Sequence, residues 1–132
     1  MESAQLINIP VSAGELLDRL SILRLKTERI TDTAKLMNVR REHDALDAVR
    51  LAQIKMTPQA DQLYAALCDV NGQLWDIEDD IRRCEHAGDF GDDFIRLARA
   101  VYITNDRRAE LKRELSVVLG SLIVDEKSYV GQ

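Results

Sequence analysis

The apolar residues Leu63, Leu67, Val70, Leu74, Ile77, Ile81 and Cys84 recur at alternating steps of four and three along one stretch of the chain. This spacing is a heptad seam sustained over about three repeats, and it belongs to a long helix with one packed face. Such a helix cannot stand alone in water, because its apolar stripe has to be covered along its whole length. The seam therefore constrains the rest of the chain, which has to supply what covers it.

Local punctuation divides that remainder. Ser12-Ala13-Gly14-Glu15 matches a capping box, with Ser12 as N-cap and Glu15 reaching back to it, and Val11 and Leu16 can form a hydrophobic staple. The first helix is expected from about Ala13 to Ile30. Thr31-Asp32-Thr33 closes it and caps a second, running from about Ala34 to Ile54. Thr57-Pro58 is a cap followed by proline at the first helical position, so the third helix runs from Pro58 to about Ala87, where Gly88 ends it. A Gly- and Asp-rich turn at residues 89–93 leads into a fourth helix from about Asp92 to Leu119, stopped by Gly120. Loops this short favour antiparallel neighbours. The expected fold is all-α: a four-helix antiparallel up-down bundle in a single domain 1–132, with long helices three and four. An extended arm (1–11) precedes the helices (12–120), and a tail (121–132) follows them. Pro10 keeps the arm out of a helix, and the β-branched tail could lie beside it as a small strand pair.

Composition agrees with this class. Hydrophobic residues make up 45% and charged ones 31%, with only six Gly and two Pro among 132 residues, a balance that favours a helical globule over disorder or a β fold. Aromatic residues are sparse, so the core is expected to be aliphatic. The net charge is −5 and every basic cluster is interleaved with acids, which argues against a nucleic-acid partner. No apolar run approaches the ~20 residues that span a bilayer, and Met1-Glu2-Ser3-Ala4-Gln5 lacks the basic and apolar parts of a signal peptide. A cytoplasmic protein is expected. Cys68 and Cys84 fall on one helix roughly 24 Å apart, too far to form a disulfide.

Charges on the helices can be sorted by direction. At ~100° per residue, Asp76, Asp79, Asp80 and Arg83 point away from the seam. Three acids in five residues suggest a metal site, but these face outward without a helical His ligand. They are read as a solvated face with Asp79 and Asp80 paired to Arg83, and no metal or cofactor is expected. His43 reads as a core-edge histidine and His86 as a complement to a helix C-terminus. No Ser/His/Asp or Cys/His spacing, Gly-rich phosphate loop or zinc pattern is present.

Glu78 and Glu85 lean toward the seam, flanked by Asn71 and Arg82, with Trp75 covering that edge. The heptad of helix four, Leu97, Val101, Thr104, Arg108, Leu111, Leu115 and Val118, carries Arg108 inward, with Asn105 and Lys112 beside it. An unpaired buried charge is very costly, so these groups need partners. Counting back from the turn sets Arg108 opposite Asn71 to Leu74, with Glu78 about one turn away and within reach of a long arginine. Helix one can add Asp18, Arg24 and Lys26. Either these are salt bridges that fix helix register, or they form a polar pocket. In the second case Arg108, Lys112, Arg82 and Asn105 would hold a carboxylate or phosphate.

The first helix has apolar residues on two faces, Leu16, Leu20 and Leu23 on one and Ile22 and Leu25 on the other. It is either the central helix of the bundle or part of a dimer interface.

Four ordered segments carry a wider similarity: Ile9-Pro-Val-Ser-Ala-Gly-Glu-Leu-Leu-Asp-Arg-Leu-Ser-Ile-Leu, Leu74-Trp-Asp-Ile-Glu-Asp-Asp-Ile-Arg, Val101-Tyr-Ile-Thr-Asn-Asp-Arg-Arg-Ala-Glu-Leu-Lys-Arg-Glu and Glu126-Lys-Ser-Tyr129. Together they resemble a family of short bacterial proteins known only as a domain of unknown function. The resemblance implies no activity. It implies encoding near glycosyltransferase and surface-polysaccharide genes, and motif positions at Gly14, Glu15, Asp18, Lys26, Trp75, Glu78, Arg82, Asn105, Asp106, Lys112, Glu126, Lys127 and Tyr129. A tail folded over the bundle would bring Lys127 to Glu78 or to an anionic ligand. The candidate ligand residues are thus Glu78, Arg82, Asn105, Arg108, Lys112, Lys127, Tyr129, Glu15, Asp18 and Lys26.

Two functions are compatible with these residues. One is a non-catalytic helical accessory or scaffold protein, homodimeric and linked to polysaccharide assembly, with a glycosyltransferase or nucleotide-sugar pathway partner. The other is a protein or enzyme that binds a small anionic metabolite at the inward polar residues.

Overall fold

Four helices fill the chain in the computed structural model, which describes residues 5–131: α1 (Ala13–Arg29), α2 (Thr33–Gln53), α3 (Pro58–Ala87) and α4 (Asp92–Val118). Residues 1–4 of the expected arm and residue 132 of the tail lie outside the described residues. Each boundary follows from local chemistry. Ser12 Oγ accepts the Glu15 amide at 3.0 Å, Asp32 caps α2 through Lys35 N–H at 2.9 Å, and Thr57 caps α3 through Ala60 N–H at 3.1 Å. Each removes one of the orphan donors of a helix start. Gly88 takes φ 68° and ends α3. Its amide reaches Glu85 O and the Asp89 amide reaches Cys84 O, a Schellman ending that needs a left-handed residue at this position. The capping box at Ser12 is only half formed: the Glu15 carboxylate turns to Lys112 and Arg19, because those cations offer it stronger, charge-assisted bonds.

The helices run up, down, up, down, and α1 lies at the centre. Gly14 and Asp18 of α1 meet Ser116 and Arg108 of α4, so these two are antiparallel. Asp18 and Arg29 meet Asn71 and Asp76 of α3, so α1 and α3 run parallel. Among the described residues α2 packs on α1 alone, while α1 touches all three other helices. This accounts for the two apolar faces of α1 within a single chain, so they call for no second copy.

Leu16, Leu17 and Leu20 of α1, Ala60, Leu67 and Val70 of α3, and Leu111 and Leu115 of α4 form one aliphatic core. Burying a leucine side chain contributes about 1.5–3 kcal/mol. The seam of α3 faces this core and the α4 hairpin, with Leu67 and Val70 buried and the other seam residues half-buried. The α3–α4 hairpin outruns its cover. Arg29, the last residue of α1, pairs with Asp76, and α3 continues beyond that point by roughly 16 Å.

The arm is extended, with Leu6, Ile7 and Ile9 exposed and Val11 packed on the core. No strand forms among the described residues, so the arm and tail do not pair as strands. The tail's side chains are bonded to the helices. Ser121 Oγ accepts the Ala13 amide at 3.1 Å, Ser12 Oγ donates to Asp125 at 3.1 Å, and Arg113 pairs with Glu126. No helix among the described residues is long and apolar enough to cross a membrane.

Candidate functional site

Asp18 is the polar centre of the molecule. Its side chain is 1% exposed, a position that would be prohibitive for an unpaired carboxylate. Arg108 meets it side-on, Nε to Oδ1 at 2.9 Å and Nη2 to Oδ2 at 2.5 Å. Asn71 Nδ2 donates to the same Oδ1 at 2.9 Å and to Ser21 Oγ at 2.7 Å. Ser21 in turn donates to the carbonyl of Asp18. The carboxylate therefore ties α1 to both α3 and α4 through directional bonds. Arg108 is held above its usual range, chiefly by its hydrogen bonds to Asp18 and against the effect of burial.

One turn earlier on α1 a second pair repeats the connection. Lys112 Nζ lies 2.5 Å from Glu15 and 3.9 Å from Asp18. Burial alone would raise the Glu15 carboxyl, but hydrogen bonds from Lys112 and Arg19 bring it below its usual value. At this level Gly14 donates its amide to Ser116 Oγ at 2.9 Å.

The expected register of Arg108 opposite Asn71 is met, because both bond Asp18 Oδ1. The Arg108–Glu78 pair that the arginine's reach allowed does not form. Glu78 sits beside Arg82 at 3.7 Å on the α3 surface, and Arg108 is engaged by the closer and fully buried acid on α1. Asp76, Asp79 and Asp80 face outward as expected, with Asp80 paired to Arg83 and Asp76 to Arg29. His43 stands half-buried at the edge of α2 beside Asp44.

Four of the sequence-derived candidates, Glu78, Arg82, Asn105 and Arg108, line one open cavity of about 400 Å³ between α1, α3 and α4. Trp75 and Asp79 complete its polar and aromatic wall, Ile22, Leu25 and Leu74 form an apolar floor, and Asn71 lies at its base. Arg29 does not line this cavity. Its guanidinium sits 5.6 Å from the Trp75 ring centroid and backs the indole. The remaining candidates lie elsewhere. Lys112 and Lys127 line a second cavity of about 420 Å³ between α4 and the tail, together with Asp106, Arg113, Asp125 and Glu126. Of the two destinations considered for Lys127, Glu78 is not the one it approaches, because the tail folds along α4 on the Lys112 side. Its ammonium stands 5.4 Å from the ring centroid of Tyr129. Lys26 is half-buried on α1 and lines neither cavity.

Sequence reasoning missed Ser21, Ser116, Ser121 and Asp125. Ser21 carried a signal, since it lies three residues after Asp18 on the same helix and faces the same way. The other three join segments more than 100 residues apart in sequence, and no local pattern marks them. No curated protein and no solved structure matches the chain. A family model does match, over residues 7–132, and the chain belongs to that family of unknown function, DUF6165.

Proposed function

We propose that this protein is a non-catalytic helical accessory protein that holds a small polar ligand in the cavity between α1, α3 and α4. One observation carries this reading: Glu78, Arg82, Asn105 and Arg108 converge on a single cavity beside Trp75. Its volume of about 400 Å³ falls in the range of small-molecule sites. Both Glu78 and Asp18 already have cationic partners. That arrangement suits holding a ligand better than transferring a proton. The lining carries Arg82 and Arg108 against Glu78 and Asp79, and Asp18 lies directly behind Arg108. The balance favours a ligand without net negative charge over an anion. The test is thermal denaturation in the presence of sugars, nucleosides, nucleotide sugars, sugar phosphates and carboxylic metabolites, since a ligand of the folded state raises its stability by mass action. A reproducible rise that Asn105→Ala abolishes supports the reading. No rise across the panel removes it.

A second reading, a homodimeric scaffold, rests on the outer face of α4. Ile95, Tyr102 and Ile103 are each more than half exposed there, on the part of the hairpin that runs past α1. This face would serve a second copy or a cytoplasmic glycosyltransferase partner of bacterial polysaccharide assembly. Light scattering at micromolar concentration tests the dimer: a dimer that Tyr102→Asp converts to monomer supports it, and a wild-type monomer rejects it.

A further inference from the structure

The base of the cavity specifies more than polarity. Both amide hydrogens of Asn71 are directed inward, to Asp18 Oδ1 and Ser21 Oγ. This fixes the orientation of the amide and leaves its carbonyl oxygen as a pure acceptor. Asn71 is 5% exposed and lines the cavity. Among the described residues that oxygen has no hydrogen-bond donor, yet no side-chain oxygen is buried without a partner, so it opens onto the cavity.

Arg108 is fixed in the complementary sense. Its Nε and Nη2 are taken by Asp18, which turns Nη1 away from the carboxylate as a free donor. Asn71 and Arg108 share Asp18 Oδ1 and line the same cavity, so the free acceptor and the free donor are both held in place there by one buried carboxylate. Asn105, half-buried on the same wall, adds an amide with no partner among the described residues.

Resting on the ligand-binding reading above, we infer that the cavity takes a flat, uncharged ring whose edge carries a donor next to an acceptor. This is the lactam or carboxamide edge found on nucleobases. The ring N–H would donate to Asn71, its carbonyl would accept from Arg108, and its face would lie on Trp75 above Leu25 and Leu74. Aromatic stacking of a base on tryptophan is favourable and tolerant of ring type. The donor–acceptor pair supplies the selectivity, because a ligand lacking one member leaves a buried polar group unmatched.

Trp75 is the sole tryptophan of the chain, so its fluorescence reports directly on occupancy. The experiment titrates the full-length protein with inosine and with 1-methylinosine, which keeps the ring but replaces the N–H donor, and follows Trp75 emission together with calorimetry. A saturable response to inosine is expected, weaker by about tenfold or more for the methylated probe. Asn105→Ala, which leaves the Asp18 network intact, should weaken inosine binding while the melting temperature of the free protein stays unchanged. Equal binding of the two nucleosides overturns the lactam assignment. Failure of inosine alongside stabilisation by another member of the panel also overturns it, while leaving the cavity as a binding site. Silence from every compound removes both readings.

Discussion

Gly14 and Ser116 bring the backbones of α1 and α4 into direct contact: the Gly14 amide donates to Ser116 Oγ at 2.9 Å. A Cβ on Gly14 would stand 2.8 Å from that same oxygen and would overlap the backbone carbonyl of Lys112. The neighbour is backbone, so it cannot swing aside. Gly14→Ala should therefore destabilise the protein by about 3 kcal/mol, the upper end for overpacking, although alanine is the better helix former. Urea denaturation measures this, and a variant as stable as wild type would show that the two helices can move apart freely.

Asp18 and Arg108 should behave as a unit. Removing either leaves the other charge poorly compensated at the centre of the bundle, so Asp18→Ala and Arg108→Ala are each expected to cost about 3–5 kcal/mol. The double variant should cost less than the sum by about 0.5–3 kcal/mol. Strict additivity in a denaturation cycle would mean the pair contributes no coupling.

Glu15 gives the molecule an acid-sensitive tie. Its carboxyl lies below the ordinary value of 4.5 in the folded state, held there by Lys112 and Arg19 against burial. The unfolded chain therefore binds the proton more readily. The stabilisation is complete above pH 4.5 and is lost as pH falls through the lower folded value. Glu15→Gln should lower stability at neutral pH and make the acid limb of the stability profile shallower below pH 4.5. Parallel profiles for the two proteins would contradict this.

The tail caps α1 from a distance. Ser121→Ala removes the acceptor of the Ala13 amide, a loss of about 1 kcal/mol that should lower the melting temperature by about 3–5 °C in a domain of this size. Deleting the chain from Ser121 onward should cost more, because the contacts of Asp125 and Glu126 go with it. An unchanged melting temperature in the deletion variant would show that the tail contributes nothing to the fold.

The features legible in the sequence were those set by neighbours along the chain. Caps at Ser12, Asp32 and Thr57 and the stop at Gly88 act within a few residues, and they place every helix end within one residue of the structure. The register of α3 against α4 was legible for a related reason: a short turn fixes how two helices are aligned, so counting from Gly88 brought Arg108 to Asn71. The rotation of α1 about its own axis was not legible. Leu16 and Leu20 on one side and Leu25 on the other give apolar surface in more than one direction. Nothing local therefore says that Asp18, and not Glu78, will meet the arginine. The path of the tail was hidden because residues 121–129 have no periodicity to orient them.

The partners of α1 are remote in the order of synthesis. Asp18 and Arg108 stand 90 residues apart, and Ser12 and Asp125 stand 113 apart. At roughly 5–20 residues per second on a ribosome, α1 emerges on the order of ten seconds before the arginine that neutralises its acid. During that interval α2 and then α3 emerge in full and can cover two of its sides, but the side that α4 covers stays open. An all-helical protein of this size usually folds through local contacts. This one places its first helix at the centre, so its assembly resembles a β protein's in having to wait for the far end of the chain.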